Sequence, residues 1–408
     1  MKFRFLGGAT EVGSLSMYME DDGKRLLFDY GFTPSSPPRL PLPAPATDVV
    51  FLSHAHIDHS GLIPQLSSRI GTPVLSTPPT LDISEILWKD SHKICNLEGY
   101  PQMFSWDDLR SARNNFEIIS FEDIKEMNGL SINFHSAGHI PGSMMTFVQG
   151  EKSTLFTGDL NTRDSRLLKG AKPVKCDNLI VEATYAGRDH KPRKEQEKEF
   201  IEKINEIVDR GGKVVLPAFA VGRTQELMMI LKDQGFDIWV DGMGKSIIQI
   251  FLRHPAYLQS PVGLQQALQQ VSLTYNPNDR KRALKGDVII TTSGMMDGGP
   301  VLQYVNHIRD DPKNAILLTG YQVEGTNGRR LLDKGTLKLG GVEQKINAEV
   351  GFFDFSAHCG HSELVEFIRD CDPENVILFH SEDREALFED LKDEFNFILA
   401  DTNEIMEI

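Results

Sequence analysis

The sequence predicts an α/β protein in which a parallel α/β domain is inserted into a second, discontinuous domain. Short strand-like runs divided by Gly and Asp open the chain, and short strands return after about residue 345. Between them, a pattern of apolar strand, small or polar turn and helix recurs, which is typical of parallel α/β architecture. Histidines follow strands on both sides of this middle segment. We therefore predict a discontinuous domain of residues 1–190 plus 345–408 around an inserted domain of residues 191–344.

The opening residues predict antiparallel strands. Residues 2–6 alternate between apolar and polar, and the strand-like runs 14–20 and 25–28 follow between turns. The segment TPSSPPRLPLPAP at 33–45 is too rich in proline for a helix or a central strand. It is a surface loop or, because it lies between Asp29 and the histidines at 54–59, a loop that shapes the mouth of a site.

A buried strand precedes the histidines. Residues 49–52, VVFL, form an apolar run of strand length, and the histidines follow it directly. A short helix is predicted over 61–69 and a longer one over 79–95. The histidines are therefore expected at the carboxyl end of a strand.

The middle of the chain repeats one unit of structure. A charged helix over 195–210 ends at two glycines. Apolar strands that each precede a small or polar turn are then predicted at 214–216, 238–240, 288–290 and 315–318. Ligands of parallel sheets tend to bind at the carboxyl ends of strands, where these turns lie. Beyond the repeats, strands are predicted at 352–355 and 376–379, each before a histidine.

Composition is that of a soluble globular protein. The 408 residues suffice for two domains, and 40% of them are hydrophobic and 25% charged. No apolar run approaches the roughly 18 residues that span a membrane. The apolar stretch at the N-terminus is too short for a signal peptide and is interrupted by Glu11. We therefore expect a cytoplasmic protein with no membrane partner.

Charge and cysteine content exclude further classes. The net charge of −15 argues against a protein that coats nucleic acid non-specifically, since phosphate binding needs local positive charge. A nuclease is compatible with it, because a metal pair and a few local cations can attract one phosphodiester. The four cysteines are scattered without a CxxC pair, which predicts buried, reduced thiols and no disulfide framework.

The run His54-Ala55-His56-Ile57-Asp58-His59 carries the clearest chemical signal. Zinc prefers imidazole nitrogen and carboxylate oxygen where thiolates are absent. His54 and His56 alternate, so both can face one way in an extended turn. With Asp58 and His59, this one loop offers four ligands. A single tetrahedral ion that also takes ligands from elsewhere in the chain could not use all four. The run therefore predicts two ions.

Three further ligand candidates stand at the ends of apolar strands: His139, Asp159 and His380. A single His or Asp in such a place is more often structural. Together, and beside the histidine run, they favour one shared metal centre.

Four motifs together resemble the metallo-β-lactamase superfamily. The run SHAHIDHSG at 53–61 is similar to its second motif. FDYG at 28–31 resembles the first motif, AGHIPGS at 137–143 the third and FTGDL at 156–160 the fourth. The motifs occur in the expected order.

The middle and the end of the chain narrow this resemblance to the β-CASP nucleases. IVEATY at 180–185 resembles motif A of that family, FSAHCGHSE at 355–363 resembles motif B and LFHSE at 378–382 resembles motif C. Two further segments, LPAFAVGRTQE at 216–226 and TGYQVEGTNGRR at 319–330, resemble stretches of the family's insertion. The resemblance covers nearly the whole chain. It implies a metallo-β-lactamase αββα sandwich with an inserted parallel α/β β-CASP domain.

The resemblance also implies the metal ligands. Of two Zn²⁺ ions per chain, one would be bound by His54, His56 and His139, the other by Asp58, His59 and His380, and both by Asp159. Asp29 would support the loop without binding metal, and a carboxylate that orients a ligating histidine makes physical sense.

The implied catalytic residues are Asp58, His358 and Glu182. His358 resembles the family's general acid and Glu182 its hydrogen-bonding partner, whose charge would favour the imidazolium form. On its residue type alone, Glu182 would be interpreted as a carboxylate in a structural bridge.

The implied activity is hydrolysis of RNA phosphodiester bonds, in RNA processing or decay, by a two-metal hydroxide mechanism with a His general acid. The implied partner is single-stranded RNA. Endonuclease and 5′→3′ exonuclease activity both stay open, as do a homodimer and an RNA-processing complex. Within the family the chain resembles the archaeal relatives of the nuclease subunit of the cleavage and polyadenylation specificity factor. We expect neither a preceding pair of KH domains nor the C-terminal extension of bacterial RNase J.

Contacts to substrate phosphates are expected at the glycine-rich turns, whose backbone N–H groups can bind anions. The candidates are Ser293 and Gly294, with Arg223, Arg329 and Arg330 as charge partners. A lone Ser-Gly turn is usually a helix cap. The basic run at 280–282 with Lys285 is interpreted as a solvated helix face.

Two rival functions belong to other classes. A two-zinc hydrolase of small esters or thioesters shares the histidine run but has no strand–turn–helix insertion followed by two further histidine motifs. An inactive scaffold subunit of an RNA-processing complex tends to lose metal ligands. This chain keeps all seven candidate ligands and His358.

Overall fold

The structure, a computed structural model, describes residues 1–127 and 129–408, without the side chains of residues 67–70. The chain forms two compact units. The first comprises Met1–Asp164, Lys169–Asp189 and Ala357–Ile408, and the second comprises Ser165–Leu168 and His190–Ser356. The domain boundaries near 190 and 345 stay a prediction.

The strands and helices follow one another in three stretches of chain. The first stretch holds β1 (Lys2–Gly7), β2 (Ser16–Asp21), β3 (Lys24–Phe28), β4 (Val49–Phe51), α1 (Ile57–Ser60), α2 (Ile63–Ile70), β5 (Val74–Ser76), α3 (Pro78–Glu98), α4 (Trp106–Asn114), β6 (Phe116–Ile118), β7 (Ile124–Met127), β8 (Leu130–Ser136), β9 (Met144–Gln149), β10 (Ser153–Phe156) and β11 (Asn178–Glu182). The second holds α5 (Arg193–Asp209), β12 (Val214–Pro217), α6 (Arg223–Leu231), β13 (Ile238–Asp241), α7 (Gly244–Arg253), a 3-10 turn (Pro255–Tyr257), α8 (Pro261–Gln269), β14 (Val271–Leu273), α9 (Pro277–Ala283), β15 (Val288–Thr291), α10 (Val301–Ile308), β16 (Ala315–Leu318), α11 (Asn327–Lys334), β17 (Thr336–Leu339), β18 (Val342–Lys345) and β19 (Glu349–Phe352). The third holds α12 (His361–Cys371), β20 (Asn375–Phe379), α13 (Glu385–Leu391), β21 (Asn396–Ile398) and β22 (Met406–Glu407).

The first unit is built on two seven-stranded sheets. Their strand orders are β22-β1-β2-β3-β4-β5-β6 and β21-β20-β11-β10-β9-β8-β7. The opening strands β1, β2 and β3 pair antiparallel, as predicted. Phenylalanines fill the space between the sheets: the ring of Phe156 lies 4.9 Å from that of Phe28 and 5.2 Å from that of Phe379. Burial of these rings therefore joins strands that are more than 200 residues apart in the chain.

Helices cover the outer faces of both sheets. Side chains alternate between the faces of a strand, so Leu27 points away from its neighbour Phe28. Leu27 packs in a buried cluster with Trp88 of α3 and Leu109 of α4. On the other sheet, a second cluster joins Leu179 of β11 and Val376 of β20 to Phe367, Ile368, Leu387 and Leu391 of α12 and α13. The first unit is thus the predicted αββα sandwich.

The second unit contains a six-stranded parallel sheet in the order β14-β13-β15-β12-β16-β19. Its strands have apolar residues on both faces, as expected where helices cover both sides. The predicted strand at 352–355 is wrong. The strand β19 ends at Phe352, and the rings of Phe353 and Phe355 pack 5.2 Å and 5.0 Å from that of Phe200 in α5. The apolar run is used for packing against a helix instead of for strand pairing.

The sandwich brings several strand ends to one edge of the first unit. Strand β4 runs parallel to β3, and β10, β11 and β20 run parallel to one another. Their carboxyl ends, together with that of β8, lead directly into the candidate ligands. No helix among the described residues is long and apolar enough to cross a membrane.

Candidate metal centre

The histidine run leaves the end of β4 and turns sharply. The sequence predicts one loop, but the structure folds residues 57–60 into the single-turn helix α1, with His56 as its N-cap. Gly31 allows this turn to lie close to the neighbouring chain, because a Cβ at residue 31 would fall 1.9 Å from the carbonyl carbon of Asp58. The glycine of FDYG therefore makes room for the backbone of the histidine run.

Four side chains converge on one point beside this turn: His54, His56, His139 and Asp159. The Nδ1 atom of His56 lies 3.0 Å from Nε2 of His54 and 3.1 Å from Nε2 of His139. Oδ2 of Asp159 lies 3.5 Å from each of those Nε2 atoms. Three imidazoles and one carboxylate oxygen make up the ligand number of a tetrahedral ion.

A second group lies on the other side of Asp159 and consists of Asp58, His59 and His380. Oδ2 of Asp58 lies 3.5 Å from Nε2 of His380 and 3.9 Å from Nε2 of His59. The other oxygen of Asp159, Oδ1, lies 3.3 Å from Nε2 of His59 and 3.4 Å from Nδ1 of His380. Asp159 thus presents one oxygen to each group.

Two orphaned atoms show that these groups fit metal ions. Among the described residues, Nε2 of His59 and Oδ1 of Asp159 are buried and make no hydrogen bond. An unsatisfied buried polar atom is costly, so its presence calls for an explanation such as a bound ion. The donor set of imidazole nitrogens and carboxylate oxygens suits zinc.

A buried hydrogen-bond network orients the histidines from behind. Asp29, in a left-handed backbone conformation with φ of 58°, accepts hydrogen bonds from the backbone N–H and the hydroxyl of Ser53, at 2.7 Å each. Its Oδ2 also lies 2.8 Å from Nδ1 of His59. On the other side, Nδ1 of His139 donates to the carbonyl of Ala357 at 2.8 Å. Partners of this kind fix which ring nitrogen faces the ion.

Ser53 is a functional candidate that the sequence reasoning missed. Its hydroxyl bonds to Asp29 and lies 3.1 Å from Nδ1 of His54, so it contacts both the supporting carboxylate and a candidate ligand. The signal was present, since Ser53 is a small polar residue between an apolar strand and His54.

Burial and neighbouring carboxylates shift the pKa values of the site histidines in opposite directions. Burial lowers the pKa of His54 and of His139 well below the usual value, so both are neutral and can offer a lone pair. Burial would also lower the pKa of His59, but the charges of Asp159 and Asp29 outweigh it and raise that pKa well above the usual value. A cation between His59 and Asp159 would therefore replace a proton.

A third group, formed by Glu182 and His358, lies beside Asp159. Nδ1 of His358 is 2.7 Å from Oε1 of the buried Glu182, which also accepts from the backbone N–H groups of Leu160 and Thr184. Nε2 of His358 lies 3.9 Å from Oδ2 of Asp159. Although burial lowers the pKa of His358, the charges of Glu182 and Asp159 raise it to about 9. These two carboxylates therefore favour the imidazolium form of His358.

The candidate phosphate contacts all belong to the second unit. Ser293 and Gly294 lie in the loop after β15, and a Cβ on Gly294 would be 3.0 Å from the backbone nitrogen of Phe219. Arg223 is the first residue of α6, and its Nη1 atom lies 2.8 Å from the position that a Cβ on Gly320 would occupy. The structure directs the other two guanidinium groups elsewhere, since Arg329 binds Asp333 at 2.9 Å and Arg330 lies 3.7 Å from Glu343.

Comparisons with known families identify three matching stretches of the chain. Residues 9–217, more than half of the chain, match the metallo-beta-lactamase superfamily. Residues 224–331 match the Beta-Casp domain, and residues 343–397 match the Zn-dependent metallo-hydrolase RNA specificity domain. The chain belongs to the β-CASP family of the metallo-β-lactamase superfamily. Membership confirms the family and the fold class predicted from the motifs, and it makes the protein a metal-binding hydrolase.

Curated relatives align with this β-CASP protein over most of its length. It is 38% identical to the Probable RNase MJ4 of Methanocaldococcus jannaschii, over 95% of this chain and 94% of the relative. It is 34% identical to RNase aCSPSF2 of Saccharolobus solfataricus, over 95% of this chain and 81% of the relative. It is 32% identical to the Transcription termination factor FttA of Methanocaldococcus jannaschii, over 95% of this chain and 68% of the relative.

A solved structure shares the fold of this β-CASP protein. The crystal structure of a protein of unknown function from Enterococcus faecalis V583 superposes with a TM-score of 0.65 at 13% sequence identity. The match covers 100% of this chain and 99% of the other. At that identity the likeness concerns the fold alone.

Proposed function

We propose that this β-CASP protein is a zinc-dependent ribonuclease that hydrolyses phosphodiester bonds of single-stranded RNA, in RNA processing or decay. The observation that carries the proposal is the position of Asp159, whose two carboxylate oxygens face two separate groups of ligand atoms beside His358. The RNase names of two relatives support RNA as the substrate. The match to an RNA specificity domain at 343–397 supports it further.

The ligand distances support two zinc ions per chain. We assign His54, His56 and His139 to one ion and Asp58, His59 and His380 to the other, with Asp159 shared. Bound zinc supplies Lewis acidity, which lowers the pKa of water and neutralises phosphate charge. The protein's own contribution is to hold the imidazoles in place. Burial keeps His54 and His139 neutral, and hydrogen bonds to Asp29 and Ala357 orient the rings of His59 and His139.

His358 is assigned as the general acid. When the bond between phosphorus and the leaving ribose oxygen breaks, that oxygen takes up the proton from Nε2 of His358. Glu182 keeps Nδ1 engaged at 2.7 Å, which leaves Nε2 as the atom that can release a proton. The three hydrogen bonds that Glu182 accepts hold this pair rigidly beside Asp159.

Ser293, Gly294 and Arg223 are assigned as contacts to substrate phosphates. They lie at the carboxyl edge of the parallel sheet, where ligands of such sheets bind. Arg329 and Arg330 could join them only by leaving their carboxylate partners, Asp333 and Glu343.

The direct test incubates the zinc-loaded protein with RNA labelled internally or at the 5′ end, carrying a 5′-triphosphate or a 5′-monophosphate. Internal fragments indicate an endonuclease, and mononucleotides released only from monophosphorylated RNA indicate a 5′→3′ exonuclease. Protein with His358→Ala, purified in parallel, controls for a contaminating nuclease. Cleavage of neither RNA, with hydrolysis of a small ester or thioester instead, would contradict the proposal.

A further inference from the structure

A buried carboxylate in the second unit is surrounded by two cations. Asp241, at the carboxyl end of β13, lies 3.3 Å from Nζ of Lys245 and accepts a 2.7 Å hydrogen bond from Nε of Arg280. The hydroxyl of Tyr304 donates to it at 3.0 Å. One negative charge facing two positive charges leaves a net positive charge at this point of the sheet edge.

An exposed aromatic ring covers that positive charge. Tyr275 follows β14, and its side chain is 76% exposed, with Nζ of Lys245 5.2 Å from the centre of the ring. The backbone around it is held on both sides, because Thr274 donates to the carbonyl of Val240 and Tyr275 donates to Asp279. A large exposed ring on an anchored backbone is a surface on which a flat group such as a nucleobase can stack.

Further cations follow directly after the ring. Residues 275–285 contain four basic residues and one carboxylate, in a chain whose net charge is −15. Lys281, Arg282 and Lys285 are exposed, and the closest carboxylate to Arg282 is Asp279 at 3.7 Å. From sequence this run is interpreted as a solvated helix face. The structure adds Tyr275 and Lys245 beside it, which a solvated face does not require.

This surface is continuous with the loop that holds the candidate phosphate contacts. A Cβ on Gly242 would fall 2.0 Å from Oγ1 of Thr292, so the turn after β13 packs directly against the residue before Ser293. Nη1 of Arg280 also bonds Gln303 of α10, the helix that follows that loop. The turns after β13, β14 and β15 therefore form one continuous edge.

We propose that this edge binds a stretch of single-stranded RNA, with a base stacked on Tyr275 and the phosphates near Lys245, Arg280 and the lysines at 281 and 285. The inference rests on the proposed ribonuclease function and adds a positioning surface to it. Base stacking on aromatic rings combined with basic side chains is how proteins hold single strands without sequence preference. RNA is favoured over an acidic protein because the proposed activity already makes RNA a ligand of this chain, and a single strand uses both the ring and the cations.

The test measures binding of a fluorescein-labelled single-stranded RNA to the 408-residue, zinc-loaded protein by fluorescence anisotropy. A His358→Ala background slows cleavage enough for binding to be measured. Tyr275→Ala should weaken binding on the order of tenfold, the effect of removing one stacked base. Tyr275→Phe should keep the affinity within about twofold, because it retains the ring. Trp106→Ala, which removes a half-exposed aromatic ring in the first unit, should leave the affinity unchanged.

Salt dependence tests the cations separately. Lys281→Ala with Lys285→Ala should reduce the slope of log affinity against log salt by about 0.7 for each phosphate that the two lysines neutralise. The matched control is Lys89→Ala with Lys93→Ala, two exposed lysines at the same spacing on α3.

RNA that carries 5-iodouridine should cross-link to Tyr275 under ultraviolet light.

Two outcomes separate this inference from the function on which it rests. If the wild-type protein cleaves RNA while the Tyr275 and lysine variants bind it as tightly as their parent, the surface is not an RNA site and an acidic protein remains as its occupant. If the wild-type protein neither cleaves nor binds RNA, the proposed function fails and the surface loses its ligand.

Discussion

At the scale of single residues, Asp159 and His358 have different parts in the proposed mechanism although they lie close together. Oxygens of Asp159 face both groups of ligand atoms, whereas His358 contacts Glu182 at 2.7 Å and approaches Asp159 at 3.9 Å. In the proposed two-ion site seven residues already supply the ligands, so a further imidazole at its edge is available for proton transfer.

This division of roles predicts opposite behaviour for two variants. His358→Ala should keep both metals and fold normally while lowering the cleavage rate by about 10²–10⁴-fold, the usual contribution of general acid catalysis. Asp159→Ala should lose metal, because both groups lose a shared ligand. Metal analysis and single-turnover kinetics on both variants measure this. Loss of metal from His358→Ala, or its full activity, would show that the roles are wrongly assigned.

Asp29 acts through His59 in this account. It accepts three hydrogen bonds, two from Ser53 and one from His59, in a fully buried position. Asp29→Asn keeps the size but loses the charge that orients the ring, and it should weaken zinc affinity about 10–100-fold. Competition with a chelator measures the affinity. Asp107→Asn, at a carboxylate that is 81% exposed, is the control. Equal affinities of the two variants would remove Asp29 from the account.

At the scale of secondary-structure elements, the helix α1 depends on a residue far from it in sequence. A Cβ at Gly31 would lie 1.9 Å from a backbone atom of Asp58. Gly31→Ala should therefore displace α1, cost about 3 kcal/mol as overpacking does, and weaken zinc binding. Gly298→Ala, where a Cβ meets nothing within 4 Å, should change stability by less than about 0.5 kcal/mol. Chemical denaturation of the two variants compares these costs, and equal values would contradict the explanation.

The elements that could be predicted from sequence are those with strong local patterns. The strands at 49–51, 214–217 and 288–291 consist almost entirely of apolar residues, and their predicted and observed bounds agree within one residue. The strand at 352–355 was not, because an apolar run does not reveal whether it pairs in a sheet or packs on a helix. Phe353 and Phe355 pack on Phe200, a contact between residues about 150 positions apart.

The same reason explains which site residues were found. His54, His56, Asp58 and His59 form a dense local pattern, and the other ligands follow strands. Ser53 was missed because its importance depends on Asp29, 24 residues away. That Arg329 binds Asp333 could have been anticipated from their i, i+4 spacing on a helix.

At the scale of the whole molecule, the candidate ligands join distant parts of the first unit. His54 follows β4, Asp159 follows β10 and His380 follows β20, which belong to two different sheets. Ions bound between them would link the two layers of the sandwich. Zinc binding should therefore stabilise this unit as well as supply chemistry.

Metal removal should consequently destabilise the first unit selectively. At a free zinc concentration about 1,000-fold above the dissociation constant, binding contributes about 4 kcal/mol. Its loss should lower the melting temperature of that unit on the order of 10 °C. Differential scanning calorimetry with and without a chelator should show one transition that moves and one that stays. A single profile unaffected by the chelator would mean that metal does not join the layers.

Titrating zinc into the metal-free protein, while bound metal and RNA cleavage are measured together, shows whether the protein is a two-zinc ribonuclease. We expect two ions to bind per chain, with cleavage appearing as the second site fills, because the groups on either side of Asp159 act as one centre. We expect no recovery for Asp159→Ala under the same conditions. A stoichiometry well below one that does not rise with added zinc, or full cleavage by the metal-free protein, would contradict that function.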